Sequence, residues 1–114
     1  MARATTDDAG FSPQVFHILL ALSAGPTHGY AIMQEVERET AGAIKLGPGT
    51  LYGAIARLRG SGLIEETRAR AGAEEGRRSY RLTARGRRAL VREAERLSRL
   101  VDAARARSVL PEGA

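Results

Sequence analysis

Cysteine and tryptophan are both absent from this 114-residue chain, which holds only five aromatic side chains and, at Lys45, a single lysine among its 18 basic residues. Without cysteine there is no disulfide, no thiolate nucleophile and no thiolate-bound metal. No stretch of even ten residues is continuously apolar. That excludes a membrane-spanning helix and the core of a signal peptide, so the expected location is cytoplasmic and, for a DNA binder, nucleoid-associated. The two histidines, His17 and His28, stand apart from any carboxylate pair or serine elbow and read as structural. No enzyme, no catalytic residue, no metal and no cofactor are expected.

The arginine excess has two explanations, a GC-rich genome and a preference for bidentate phosphate contacts, so only the placement of charge is informative. Residues 1 to 57 hold 4 basic and 5 acidic side chains, and residues 58 to 114 hold 14 and 8. The net charge of +5 is therefore concentrated in the second half. Such an excess suits a polyanion, although a membrane surface or an acidic protein would attract it too. With 43% hydrophobic residues and a length that buries about 60 to 70% of the extended surface, one small core is expected.

Along the chain, residues 1–10 are polar and aperiodic and read as a flexible arm. Ser12-Pro13 is a cap followed by a first helical residue, and Val15, Ile18, Leu19 and Leu22 then share one helical face up to Gly25. Pro26-Thr27 opens a second helix with Thr27 as its cap; Ile32, Met33, Val36 and Tyr30 form its buried side and Gly42 stops it. Ile44-Lys45-Leu46 is a stub of strand. Pro48 starts a third helix, in which Leu51, Ile55 and Leu58 point inward while Gly49, Gly53, Ala56, Arg57 and Gly60 make a small, basic outward face. Small residues plus a few donors fit the major groove of DNA, about 12 Å wide; a solvated helix that tolerates its glycines fits the same pattern.

From Leu63 the period changes. Residues 63–68 and 77–82 are extended runs joined by a charged, glycine-containing loop, and in the second run Tyr80 and Leu82 face inward while Arg77 and Arg81 face out. Thr83 caps a long last helix reaching about Arg107, along which Leu90, Ala94, Leu97, Val101 and Ala104 form a heptad seam widened by Val91 and Leu100. Arg85, Arg87 and Arg88 sit in its first turns, against the helix dipole, and the last residues fray. The fold expected is mainly α with a small β-hairpin: a winged helix-turn-helix over residues 11–83, a dimerisation helix over 84–108 and a tail over 109–114.

The strings His28-Gly-Tyr-Ala-Ile32, Gly47-Pro-Gly-Thr-Leu-Tyr52, Gly62-Leu-Ile64 and Gly76-Arg-Arg-Ser-Tyr-Arg-Leu-Thr83, with Leu58 and Gly86, resemble the PadR-like transcriptional regulators from Ser12 to Gly86. The single C-terminal helix is similar to that of the shorter members. What the resemblance implies is a homodimeric bacterial regulator, usually a repressor, released from double-stranded DNA by a small aromatic or drug-like effector. It places Tyr30 near the DNA backbone, Gly49, Thr50 and Tyr52 on the recognition helix, and Arg77 in the wing. Gly53 stands where many relatives have proline, and Glu74-Glu75 beside Arg77-Arg78 leave the wing tip nearly neutral.

On this basis the expected DNA-binding residues are Thr27, Tyr30, Gly49, Thr50, Tyr52, Gly53, Arg57, Arg77 and Arg78. The arginines meet phosphates, and Thr50 and Tyr52 either reach base edges or set the helix angle. The dimer interface is Leu90, Ala94, Leu97, Val101 and Ala104, and an effector cleft is lined by Phe16, Leu97 and Val101, residues that equally suit plain dimer core. The alternatives are a winged-helix adaptor binding protein and a non-inducible architectural DNA binder.

Overall fold

A computed structural model describes residues 11–68 and 78–111. The first helix, α1 (Pro13–Leu22), starts where its sequence says it should: the Ser12 hydroxyl accepts the Val15 N–H at 3.2 Å, and Pro13 occupies a position whose N–H would have had no partner. Its Ile18, Leu19 and Leu22 are fully buried.

The chain then forms a two-residue strand, β1 (Thr27–His28), and passes directly into α2 (Gly29–Glu39). Here the expectation of Thr27 as a cap is corrected. Thr27 is held in the sheet opposite Tyr80, and the cap is His28, whose Nδ1 accepts the Ala31 N–H at 3.1 Å. The C-terminus of α2 closes with Ala41 in the left-handed region (φ 51°) and the Gly42 N–H on the Glu37 carbonyl at 2.8 Å.

Residues 44–46 are corrected as well: they form no strand. Thr40 holds this segment instead, its hydroxyl accepting the Ile44 N–H at 3.0 Å, and Leu46 drops into the core. The third helix, α3 (Pro48–Gly60), buries Leu51, Ala54, Ile55 and Leu58. It ends at Gly62 (φ 78°), where the Leu63 N–H returns to the Leu58 carbonyl at 3.0 Å. A left-handed turn at this point favours glycine.

Two strands follow, β2 (Ile64–Thr67) and β3 (Ser79–Leu82), and β3 lies in the middle of an antiparallel sheet ordered β1-β3-β2. The register sets Thr27 against Tyr80 and Glu66 against Tyr80 from the other side. The expected hairpin has thus gained a third strand, and with neighbours on both edges Ser79 is buried along with Tyr80.

Finally α4 (Ala84–Ala106) starts at Thr83, whose hydroxyl accepts the Gly86 N–H at 3.0 Å and donates to the Gly62 carbonyl at 2.6 Å. That one side chain ties the start of the long helix to the end of α3. One apolar core links α1, α2, α3, the sheet and the first turns of α4. The expected N-terminal arm, the wing loop and the last three residues lie outside the described residues.

Candidate nucleic-acid interface

Helix α3 turns its apolar stripe inward and leaves Gly49, Thr50, Ala56, Arg57 and Gly60 exposed, with Gly53 half-buried. A methyl group placed on Gly49 or Gly60 would meet nothing within 4 Å, and one on Gly53 only the tip of Arg57 at 3.7 Å. The chain's own packing therefore does not demand small residues here. The clearance is available to something outside the chain.

Two tyrosines flank this face. Tyr30, in the first turn of α2, is 55% exposed, which corrects the expectation that it joins the buried side. The inward stripe of α2 is Gly29, Ile32 and Val36, and a residue two places before Ile32 and six before Val36 points away from it. Tyr52 is 45% exposed and its ring rests on Gly29, so it braces α3 against the start of α2. Thr27 is half-buried at the sheet edge just behind.

Below the C-terminal turn of α3 lies a charged junction. The Glu66 carboxylate on β2 is 3.5 Å from Arg59 of α3 and 3.8 Å from Arg78 at the root of the wing. The buried Tyr80 phenol sits beside it; burial, then the Glu66 charge, push that phenol above its ordinary value, while Arg78 opposes the shift. On the other face of the hairpin, Glu65 pairs with Arg81 at 2.7 Å. Arg77 lies outside the described residues.

Only the first part of α4 is covered by its own chain: Gly86, Ala89, Leu90 and Glu93 are buried. Beyond them Ala94 is exposed, Leu97 and Ala104 are half-buried, and Val91, Leu100 and Val101 are 49%, 54% and 40% exposed. Near the junction of α1 and α4 a cleft of about 340 Å³ is lined by Phe11, Pro13, Phe16, His17, Glu93, Arg96 and Leu97. The structure brings together Phe16 and Leu97 of the expected effector residues, and sets Val101 further along the helix. Glu93 is 5% exposed; Arg96 grips it at 2.7 Å, the Phe11 N–H reaches it at 3.4 Å, and the Arg96 hydrogen bond holds its carboxyl below the usual range despite burial. Of the arginines set against the α4 dipole, Arg87 donates to the Ser23 carbonyl at the end of α1, at 3.2 Å.

The model of the PadR-like transcriptional regulator family matches residues 18–92. The chain belongs to that family. Among curated proteins, this PadR-like chain is 45% identical over 84 residues to a 37.1 kDa protein of transposon TN4556 from Streptomyces fradiae, a match covering 73% of the chain but only 22% of the relative. Among solved structures, a transcriptional regulator from Clostridium thermocellum is similar at 26% identity and a TM-score of 0.66, over 85% of this chain and 92% of that one. A PadR family regulator from Clostridium difficile shares the fold at 21% identity and a TM-score of 0.70, over 83% and 97%. PadR of Bacillus subtilis, solved in complex with operator DNA, shares it at 24% identity and a TM-score of 0.57, over 67% and 43%.

The family is one of transcriptional regulators. No described helix is long and apolar enough to cross a membrane. Sequence reasoning missed three residues of this surface and its support: His28 as a cap, Glu66 at the junction and the buried Glu93. For His28 the signal was present, since an imidazole nitrogen one residue before a glycine-started helix can accept the same N–H as a serine oxygen. For the two glutamates it was not, because their partners come from elements distant in sequence.

Proposed function

We propose that this PadR-like chain is a homodimeric, sequence-specific regulator of transcription that binds double-stranded DNA and acts as a repressor. The observation that carries this reading is the outward face of α3, where small side chains stand clear of the chain's own packing and arginine guards the following turn. A helix of that profile enters a major groove; Thr50 then lies at the base edges, Arg57, Arg77 and Arg78 meet phosphates, and Tyr30 and Thr27 flank the backbone. The structural likeness to Bacillus subtilis PadR, solved with its operator, supports the same use of the fold.

The second subunit is supplied by another copy of α4. A helix of 23 residues is about 34 Å long, and its distal half presents Leu97, Leu100, Val101 and Ala104 along one side with little cover from its own chain. Twofold pairing through the Leu90, Ala94, Leu97, Val101 and Ala104 seam sets two recognition helices a fixed distance apart. The cleft between α1 and α4 lies against this seam, so a small-molecule effector held at Phe16 and Leu97 acts on the spacing of the two helices.

Titration of the purified chain onto duplex DNA tests the reading. Neutralising six to ten phosphates per dimer makes affinity fall by about 10³ to 10⁵ between 50 and 200 mM salt. An affinity that ignores salt contradicts it.

A further inference from the structure

Glu66 is an odd residue to find where it is. It lies on the same face of β2 as the buried Ile64, so its side chain is turned toward α3 rather than away from the body of the protein. There it meets Arg59, from the last turn of the recognition helix, and Arg78, from the base of the wing. These two arginines flank the very surface assigned to DNA. The ion pairs themselves are exposed, the Arg78 side chain to 71% and that of Arg59 to 45%, and contribute little to stability, about 0 to 1 kcal/mol each. Their effect on a polyanion is larger, since a carboxylate between two guanidinium groups cancels half of the charge that the pair offers to phosphate.

We infer that Glu66 restrains sequence-independent attraction to DNA by holding Arg59 and Arg78 around one carboxylate, making it a positioning residue for the phosphate contacts. This inference rests on the DNA-binding reading above. In the free chain the two arginines share one carboxylate, at 3.5 and 3.8 Å. On DNA, phosphates must compete with Glu66 for them, so the electrostatic component of binding, which carries no sequence information, is kept low. Glu65 provides an internal comparison: it is the neighbouring residue and carries the same charge, but it faces the other way and pairs with Arg81.

The test uses the full chain and a mixed-sequence duplex of fixed length, with affinity measured from 50 to 200 mM salt. Glu66→Gln adds one unit of positive charge at the junction. It is expected to tighten binding at 50 mM and to steepen the dependence of log affinity on log salt by about 0.9 per chain, an extra loss of about threefold across that range. Glu66→Asp keeps the slope of the unsubstituted chain, and so does Glu65→Gln, with unchanged melting temperatures confirming intact folds. A Glu66→Gln chain that binds no tighter and no more steeply than the original overturns the inference, as does an equal steepening by Glu65→Gln, which would reduce the effect to net charge. Failure of the unsubstituted chain to bind the duplex at all is a different result, and overturns the DNA-binding reading instead.

Discussion

The ring of Tyr52 lies on the α-carbon of Gly29, close enough that a methyl group there would collide with its hydroxyl and sit 2.7 Å from its ζ-carbon. Helix α3 is thereby braced on the first residue of the helix before it, through an aromatic side chain that is also half-exposed beside the face proposed to meet DNA. Because the clash is with the far end of a side chain, Gly29→Ala pushes Tyr52 aside rather than unfolding α2. Stability is expected to change by less than about 1 kcal/mol, whereas DNA affinity falls by roughly tenfold, equivalent to about 1.4 kcal/mol. In a background of Tyr52→Ala the same glycine substitution becomes neutral, and thermal melts with DNA titrations of the four chains check this coupling.

At Gly86 the same kind of approach has the opposite consequence. A methyl group there would collide with the Leu63 carbonyl oxygen and lie 2.9 Å from its carbon. That carbonyl cannot swing away, since the Thr83 N–H binds it at 3.1 Å and the Thr83 hydroxyl holds the adjacent Gly62 carbonyl. Gly86→Ala is expected to destabilise the fold by about 1 to 3 kcal/mol, despite the better helix propensity of alanine. A melting temperature equal to or above that of the original chain contradicts this packing.

Glu93 links stability to pH. Its carboxyl is held below the ordinary value of 4.5, first by Arg96 and then, against the cost of burial, by the Phe11 N–H. A group whose native value is depressed stabilises the fold above the unfolded value and stops doing so as pH falls through the native one. Glu93→Gln is therefore expected to lower stability by about 1 kcal/mol at neutral pH, with the gap closing as pH falls below the ordinary value of 4.5. A gap that stays constant across melts in this acid range contradicts the assignment.

Leu100 and Val101 are 54% and 40% exposed on a helix whose far half has little cover from its own chain. Paired Leu100→Asp and Val101→Asp substitutions put two charges into each half of the proposed seam. Sedimentation is expected to show dimers for the original chain at micromolar concentration and single chains for the variant, with unchanged helix content.

What could be read from the residues alone were the features whose chemistry is local. Ser12 and Thr83 each cap the helix that follows them and Pro48 begins α3, and each of these depends on neighbours within a few positions. Thr27 shows the limit of such reasoning. It has the side chain of a cap, but Tyr80 draws its backbone into the sheet, and His28 takes the role. Tyr30, an aromatic on a mixed helix, reads equally as core or surface until the first helical residue is fixed. The face of α3 was legible because helical spacing alone determines it. Glu93 and Glu66 were not: one meets a backbone donor 82 positions away, and the other joins arginines from two separate elements.

The central claim is that two copies of α3, related by a twofold axis through α4, read DNA together. Selection and sequencing of genomic fragments bound by the purified chain tests it most directly. The account predicts an inverted repeat whose half-sites lie about 10 bp apart, centre to centre. Enrichment of a single unsymmetrical site, or of no shared sequence, contradicts it.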